Sequence, residues 1–178
     1  LERQRRWRRR VAVDAQPVPP ADLVTYNVYT PVTAFDGSNI VVHYEVANRG
    51  SGPTFPGSWA DTVWLTLGKD RPNPQRGDIQ LASFGNGASL EVGQSYARDV
   101  TVRLPSNIQG QYYITVFADA SDGVYEAAFD INRNPDAPND LDGSNFKSTP
   151  LTVFYNPPSD LQVTNVTAPA SALGGIDV

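Results

Sequence analysis

The chain has 178 residues, enough for one sandwich-sized domain with some chain to spare, and its lack of cysteine excludes a disulfide framework and thiolate chemistry. No apolar run approaches the length of a membrane span, while 15 prolines, 14 glycines and 40% hydrophobic residues suit short strands joined by many turns. The net charge of −5 hides an asymmetry: residues 1–10 carry six arginines and one glutamate, net +5, which leaves −10 on the rest. Methionine is absent, so this stretch is expected to be cut from a longer chain whose targeting signal lies upstream.

Residues 1–18 form a basic and proline-rich arm. Its arginines are too dense to leave an apolar helical face, with Trp7 the one hydrophobic anchor, and Pro17 then begins a semi-rigid spacer. A solvated tether is the expectation, ahead of a nucleic-acid contact through the arginines and Trp7 or a proteolytic processing site. Nucleic acid is not the expected partner.

A first strand is predicted over Asp22–Tyr29, ended by Pro31, and Asp36-Gly37 turns the chain into Asn39–Asn48. There Ile40, Val42, Tyr44 and Val46 alternate with Val41, His43, Glu45 and Ala47, the period of a strand with two different faces. His43, the only histidine, falls on the outer side with no serine or cysteine nucleophile beside it, and reads as a surface residue. A Gly/Pro/Ser loop leads to Trp59 and a strand over Asp61–Leu67, with Val63, Leu65 and Leu67 on one face and Trp64 on the other. The loop Gly68–Asp78 reads as a mobile connection at the end of the sandwich. Ile79–Phe84 reads as an edge strand and Gly85-Asn86-Gly87 as a turn. In Ser95–Leu104, Tyr96, Val100, Val102 and Leu104 point inward; Arg98 shares that parity, and its head is expected to reach water or a carboxylate at the sandwich end.

Gly110–Asp119 is the organising stretch and the expected central strand, with Tyr112, Ile114, Val116 and Ala118 on one face. Gly110 before Tyr112 fits a tyrosine corner, in which the Tyr112 hydroxyl bonds upstream backbone; an ordinary core tyrosine is the alternative. A turn at Ser121-Asp122-Gly123 precedes Val124-Tyr125-Glu126, a long polar loop runs from about 129 to 145, and Thr149–Tyr155 is the last strand. No segment has a helical period. The fold class is all-β: an immunoglobulin-like antiparallel β-sandwich of about seven strands, with Val42, Tyr44, Val63, Leu65, Val100, Val102, Tyr112, Ile114 and Val116 in its core.

Residues 157–178 read as the start of a second, truncated repeat. Pro157-Pro158-Ser159-Asp160-Leu161, then Asn165-Val166, Pro169, Ala172 and Gly175, match Pro19-Pro20-Ala21-Asp22-Leu23, Asn27-Val28, Pro31, Ala34 and Gly37 at constant spacing. So long a period belongs to whole domains in tandem rather than to a solenoid unit.

Over residues 19–156 the sequence resembles the CARDB family, the cell-adhesion-related domain found in bacteria. The resemblance is carried by Pro20-Ala-Asp22-Leu23, Ile40 to Gly50, Ser58-Trp59-Ala-Asp61-Thr-Val63-Trp64-Leu65, Leu90 to Tyr96, Leu104-Pro105, Gly110-Gln-Tyr112-Tyr113 and Val124-Tyr125-Glu126 in order. It implies an immunoglobulin-like sandwich of large secreted or surface proteins, often in tandem and without enzymatic activity. The chain departs from the family pattern in an acidic insertion between Glu126 and Asn145.

That insertion holds Asp130, Asn132, Asn134 and Asp136 at alternate positions, with Asp140 and Asp142 beyond, a supply of the oxygen ligands that Ca2+ takes. Asp119 and Asp122 could approach from the neighbouring turn. The EF-hand pattern is broken by Pro135 and Leu141 where it needs glycine and glutamate, so any site has another geometry; a solvated loop of turn-formers is the competing reading. Two functions follow: a non-catalytic extracellular adhesion or spacer module, partnered by neighbouring repeats or copies of itself, or an accessory module binding a surface glycan or protein through Trp59, Trp64 and Tyr113. Asp119 and Glu126 can be written as a glycosidase pair, but nothing in the sequence fixes their separation.

Overall fold

The computed structural model describes residues 18–54, 57–126, 145–157, 159–171 and 174–175. Eight strands follow in order: β1 Leu23–Tyr29, β2 Thr33–Phe35, β3 Asn39–Asn48, β4 Trp59–Thr66, β5 Ile79–Asn86, β6 Ser95–Arg103, β7 Gly110–Phe117 and β8 Phe146–Phe154. They form a three-stranded sheet, β1-β3-β6, packed on a five-stranded sheet, β2-β8-β7-β4-β5. The strand at Gly110 is the middle strand of the larger sheet, as its alternation predicts. Every strand pair is antiparallel except β2 with β8, a parallel pairing of Thr33, Ala34 and Phe35 with Thr152, Val153 and Phe154 that the sequence reading did not contain.

The first strand changes sheet on the way. Asn27 sits at a positive φ of 50° and the β1–β3 register slips between Tyr26 and Tyr29, after which the chain crosses Pro31 and joins the opposite sheet as β2. Asparagine tolerates this backbone because its short amide bonds locally, here donating to Glu45 Oε1 at 2.8 Å.

The core lies where the inward parities meet. Val42, Tyr44, Val63, Leu65, Val100, Val102, Ile114 and Val116 are buried as expected, joined by Leu23, Val28, Leu104, Leu151 and Val153. Tyr112 is only partly buried, and among the described residues its hydroxyl has no hydrogen bond, so there is no tyrosine corner. Its strand begins at Gly110 on the rim, and Tyr112 pairs with Leu151 at the edge of the core rather than under a returning loop. Leu67 falls one residue past the end of β4 and is exposed instead of sharing the core face. Lys147 pairs with Val116 on the core parity and is fully buried.

The loop Gly68–Asp78, expected to be mobile, is tied down by its last residue. The buried Asp78 carboxylate accepts the N–H groups of Leu67 at 3.0 Å and Asn73 at 2.8 Å and pairs with Arg76 at 3.3 Å. Asn73 caps a single 3₁₀ turn, Pro74–Arg76. The loop lies across the outer face of the larger sheet, with Lys69 5.6 Å above the Tyr113 ring and Arg71 5.0 Å above that of Phe117. On that face Thr66, Thr115 and Ser148 are buried and linked hydroxyl to hydroxyl at 2.8 Å each.

Candidate functional site

Three polar constellations stand out, two at the poles of the sandwich and one between the sheets. At the near pole, where the chain arrives, Pro19 lies against Gly52, and the Pro20 carbonyl accepts the N–H groups of Ser51 at 3.0 Å and Gly52 at 2.9 Å. Ala21 N–H donates to the Tyr125 carbonyl at 3.1 Å, and Arg49 N–H to that of Asp22 at 2.7 Å. Buried Asn48 organises this pole: its amide N–H groups donate to the carbonyls of Gly52 at 2.8 Å and Leu90 at 2.9 Å, and its oxygen accepts Gly50 N–H at 3.0 Å.

The acids flanking the insertion belong to the same pole. Asp119, at φ 48°, accepts the N–H groups of Gly123 at 2.9 Å and Val124 at 2.7 Å and so closes the turn. Burial pushes its pKa up, with the Asp122 charge adding to the rise and the backbone donors opposing it. Glu126 accepts Leu23 N–H on one carboxylate oxygen and the Asn145 amide on the other. Asn145 is fully buried, and its carbonyl accepts the Thr25 hydroxyl at 2.6 Å and Ala118 N–H at 2.8 Å. Asp119 and Glu126 thus hold backbone and side chains of this pole in place. Asp130, Asn132, Asn134, Asp136, Asp140 and Asp142, the predicted Ca2+ ligands, lie outside the described residues, as do the arginines and Trp7 of the arm. Among the described residues no three His, Cys, Asp or Glu side chains gather as metal ligands.

Between the sheets, Asp61 is fully buried on the core parity of β4. Its carboxylate accepts the Tyr44 hydroxyl at 3.0 Å and the Tyr96 hydroxyl at 2.8 and 2.9 Å, and Trp59 Nε1–H donates onto the Tyr96 oxygen at 3.3 Å. Arg98 lies 5.4 Å above the Tyr96 ring and donates to the Gly85 carbonyl at 3.0 Å. Burial raises the pKa of Asp61, opposed by the two tyrosine hydroxyls and by the Arg98 charge. Burial and the adjacent Asp61 charge push both tyrosines well above the ordinary phenol value. The cluster is closed on itself, with no open position at the carboxylate described, and its chemistry is that of a cross-link. The signal for it was present: Tyr44, Asp61, Tyr96 and Arg98 all sit on core parities.

At the far pole, where the chain leaves, buried Asp36 accepts Asn107 N–H on one oxygen and Asn156 N–H on the other, each at 2.6 Å, while its own N–H donates to the Phe154 carbonyl at 2.9 Å. A cleft of about 290 Å3 lies beside it, lined by Arg103, Ser106, Asn107 and Tyr155. Sequence reading identified Asp36-Gly37 only as a turn, because Asn156 is 120 residues away.

The aromatic residues proposed for ligand contact separate. Trp59 is buried against Tyr96, their rings 6.3 Å apart, and cannot present a surface platform. Trp64 and Tyr113 remain partly exposed on the outer face; Trp64 donates its Nε1–H to Thr62 at 2.9 Å and borders a cleft of about 260 Å3 with Gln80 and Ser83. His43 stands on the outer side of β3, 2.9 Å from Asp99, as a surface residue.

Comparison with known proteins accords with this architecture. A family model described as CARDB matches residues 20–134. The crystal structure of the CARDB domain of a Pyrococcus furiosus protein, in complex with di-metal ions, is 14% identical; the match covers 79% of this chain and 100% of that one with a TM-score of 0.50. A solution structure of that domain is 16% identical over 78% of this chain and 97% of that one, TM-score 0.49. A β-glucosidase from Listeria innocua is 9% identical, the match covering 75% of this chain but 16% of the enzyme, TM-score 0.43. No curated protein matches.

Proposed function

The chain belongs to the CARDB family of non-catalytic modules, and from that premise we propose that it is a spacing and adhesion module of a large extracellular or surface-attached protein, joined in tandem to copies of itself. The observation that carries this reading is where the chain enters and leaves the sandwich, at residues 20–22 and at Asn156. The chain arrives at the pole where Phe146 begins β8 and leaves at the pole where β8 ends, and both segments are bonded to the body. The nine residues of β8 span roughly 30 Å at strand rise, so each module sets its neighbours at least that far apart. Protease treatment of intact producing cells tests the setting: release or destruction of this segment supports it, and full protection until lysis counts against it.

Calcium stiffening is a second element of the proposal. It rests on the oxygen-rich pattern of residues 130–142 and on a relative described as a complex with di-metal ions. Asp119 and Glu126 already accept backbone N–H groups, which favours Asp130, Asn132, Asn134, Asp136, Asp140 and Asp142 of the insertion as the main ligands. Calorimetric titration with Ca2+, alongside melting with and without chelator, decides it: heat of binding and a higher Tm are expected, and neither at millimolar Ca2+ removes the element. A ligand-binding role retains Trp64 and Tyr113 as its platform, and a glycan array with the Trp64→Ala variant as control tests it.

A further inference from the structure

We infer that consecutive modules abut with no free linker, the far pole of this one forming a fixed interface with the near pole of a following copy. The inference rests on the tandem reading above and adds the geometry of the joint.

Among the described residues Asn156 is the last one held by this module, through its N–H to Asp36 Oδ1 at 2.6 Å. Pro157 is the sequence equivalent of Pro19, which lies against Gly52, and Pro158 that of Pro20, whose carbonyl accepts the N–H groups of Ser51 and Gly52. Ser159 and Asp160 correspond to Ala21 and Asp22, whose backbone groups are bonded to Tyr125 and Arg49. In a following copy the same bonds hold Pro158–Asp160. Only Pro157 therefore stands between the residue bound by the first module and the residues bound by the second.

The chemistry of the joint leaves it little freedom. Pro157 and Pro158 fix φ and confine the residues before them to extended backbone, so Asn156 has a narrow range of its own. The segment equivalent to the first strand makes no strand here and is exposed: Leu161 and Val166 are 93% and 81% exposed, whereas Leu23 and Val28, their equivalents, are 0% and 1%. Those side chains are covered when a second body is built on them. That body must then begin within a few residues of Phe154 and Tyr155, which are exposed at the far pole, with Phe35 set 6.3 Å from Phe154, ring to ring. This apolar rim around the Asp36 clamp is the surface left for the neighbour.

Two measurements test the joint. In the present chain the Asn156 amide is expected to exchange slowly with deuterium, and to exchange freely in Asp36→Ala; free exchange in the unaltered chain overturns the clamp. The second uses a tandem in which residues 19–156 follow Asn156 directly, compared with the same tandem carrying four inserted Gly/Ser residues. Residual dipolar couplings should fit one alignment tensor for both modules without the insertion and two with it. Small-angle scattering should give the greater and better-defined maximum dimension for the direct tandem. Two independent tensors in an extended direct tandem would overturn the fixed joint while leaving the spacer reading intact. A compact, side-by-side tandem would overturn the spacer reading itself.

Discussion

The Asp61 carboxylate on one sheet accepts the Tyr44 hydroxyl of the other at 3.0 Å, in the middle of a sandwich that has no disulfide to bridge its sheets. Tyr96 donates to the same carboxylate, so three side chains from three strands tie the two layers together. A buried carboxylate is tolerable only when its lone pairs are met, and here hydroxyl donors and a nearby guanidinium meet them.

Removing the acid should therefore cost more than removing either hydroxyl. Asp61→Ala leaves the buried Tyr44 phenol and the partly buried Tyr96 phenol without an acceptor and is expected to lose about 3 kcal/mol or more, against roughly 1–2 kcal/mol for Tyr44→Phe. Chemical denaturation of the two variants measures both. Equal, small losses would mean the network is not a tie between the sheets.

The same cluster sets an alkaline limit. The folded pKa of Tyr44 and Tyr96 lies above the ordinary value of 10.0, so above that pH the unfolded chain releases protons that the folded chain retains, and stability falls as pH rises further. On the acid side Asp61 has the same sign. Its folded pKa is raised above 3.8, so its contribution is fully present below that value and is lost as pH rises through the raised one. Glu45, lowered by bonds from Tyr26 and Asn27, works oppositely and loses stability as pH falls. Ultraviolet titration should show two tyrosines ionising only with unfolding, and Asp61→Asn should remove the Asp61 share of the acid-side slope, leaving that of Asp119, which has the same sign, opposed by that of Glu45.

Gly52 is a steric requirement of the near pole. A methyl group there would overlap the Pro19 carbonyl, and one on Gly50 would stand 2.4 Å from the backbone of Ala21. Gly52→Ala is expected to lower Tm by several degrees and to speed exchange of the Ala21 amide while the Asn156 amide stays protected. Unchanged exchange at Ala21 would show that Pro19 moves aside at no cost.

Deleting Pro157–Val178 should leave Tm within about a degree of the full chain. Residues 159–171 are exposed throughout and make no strand, so they contribute no burial to this domain. A clear drop would place the tail in this domain's fold.

Alternation with period two was sufficient to place the strand at Asn39–Asn48 residue for residue, the central strand at Gly110 and most of the core, because a sheet buried on one face writes its pattern into adjacent residues. The same arithmetic put Asp61, Tyr44, Tyr96 and Arg98 on inward faces, but parity does not say which inward residues meet. Their contacts cross 17 and 35 positions of chain, those of Asp36 71 and 120, and only the stacking of two sheets brings such groups within hydrogen-bond distance. Tertiary structure likewise decided that Trp59 is a core residue and not a platform, that Tyr112 lies too near the rim for a corner, and that Pro31 takes the first strand across to pair in parallel with β8. A local pattern fixes which way a side chain points along its own strand; what it finds there depends on the other sheet, and that is settled by packing alone.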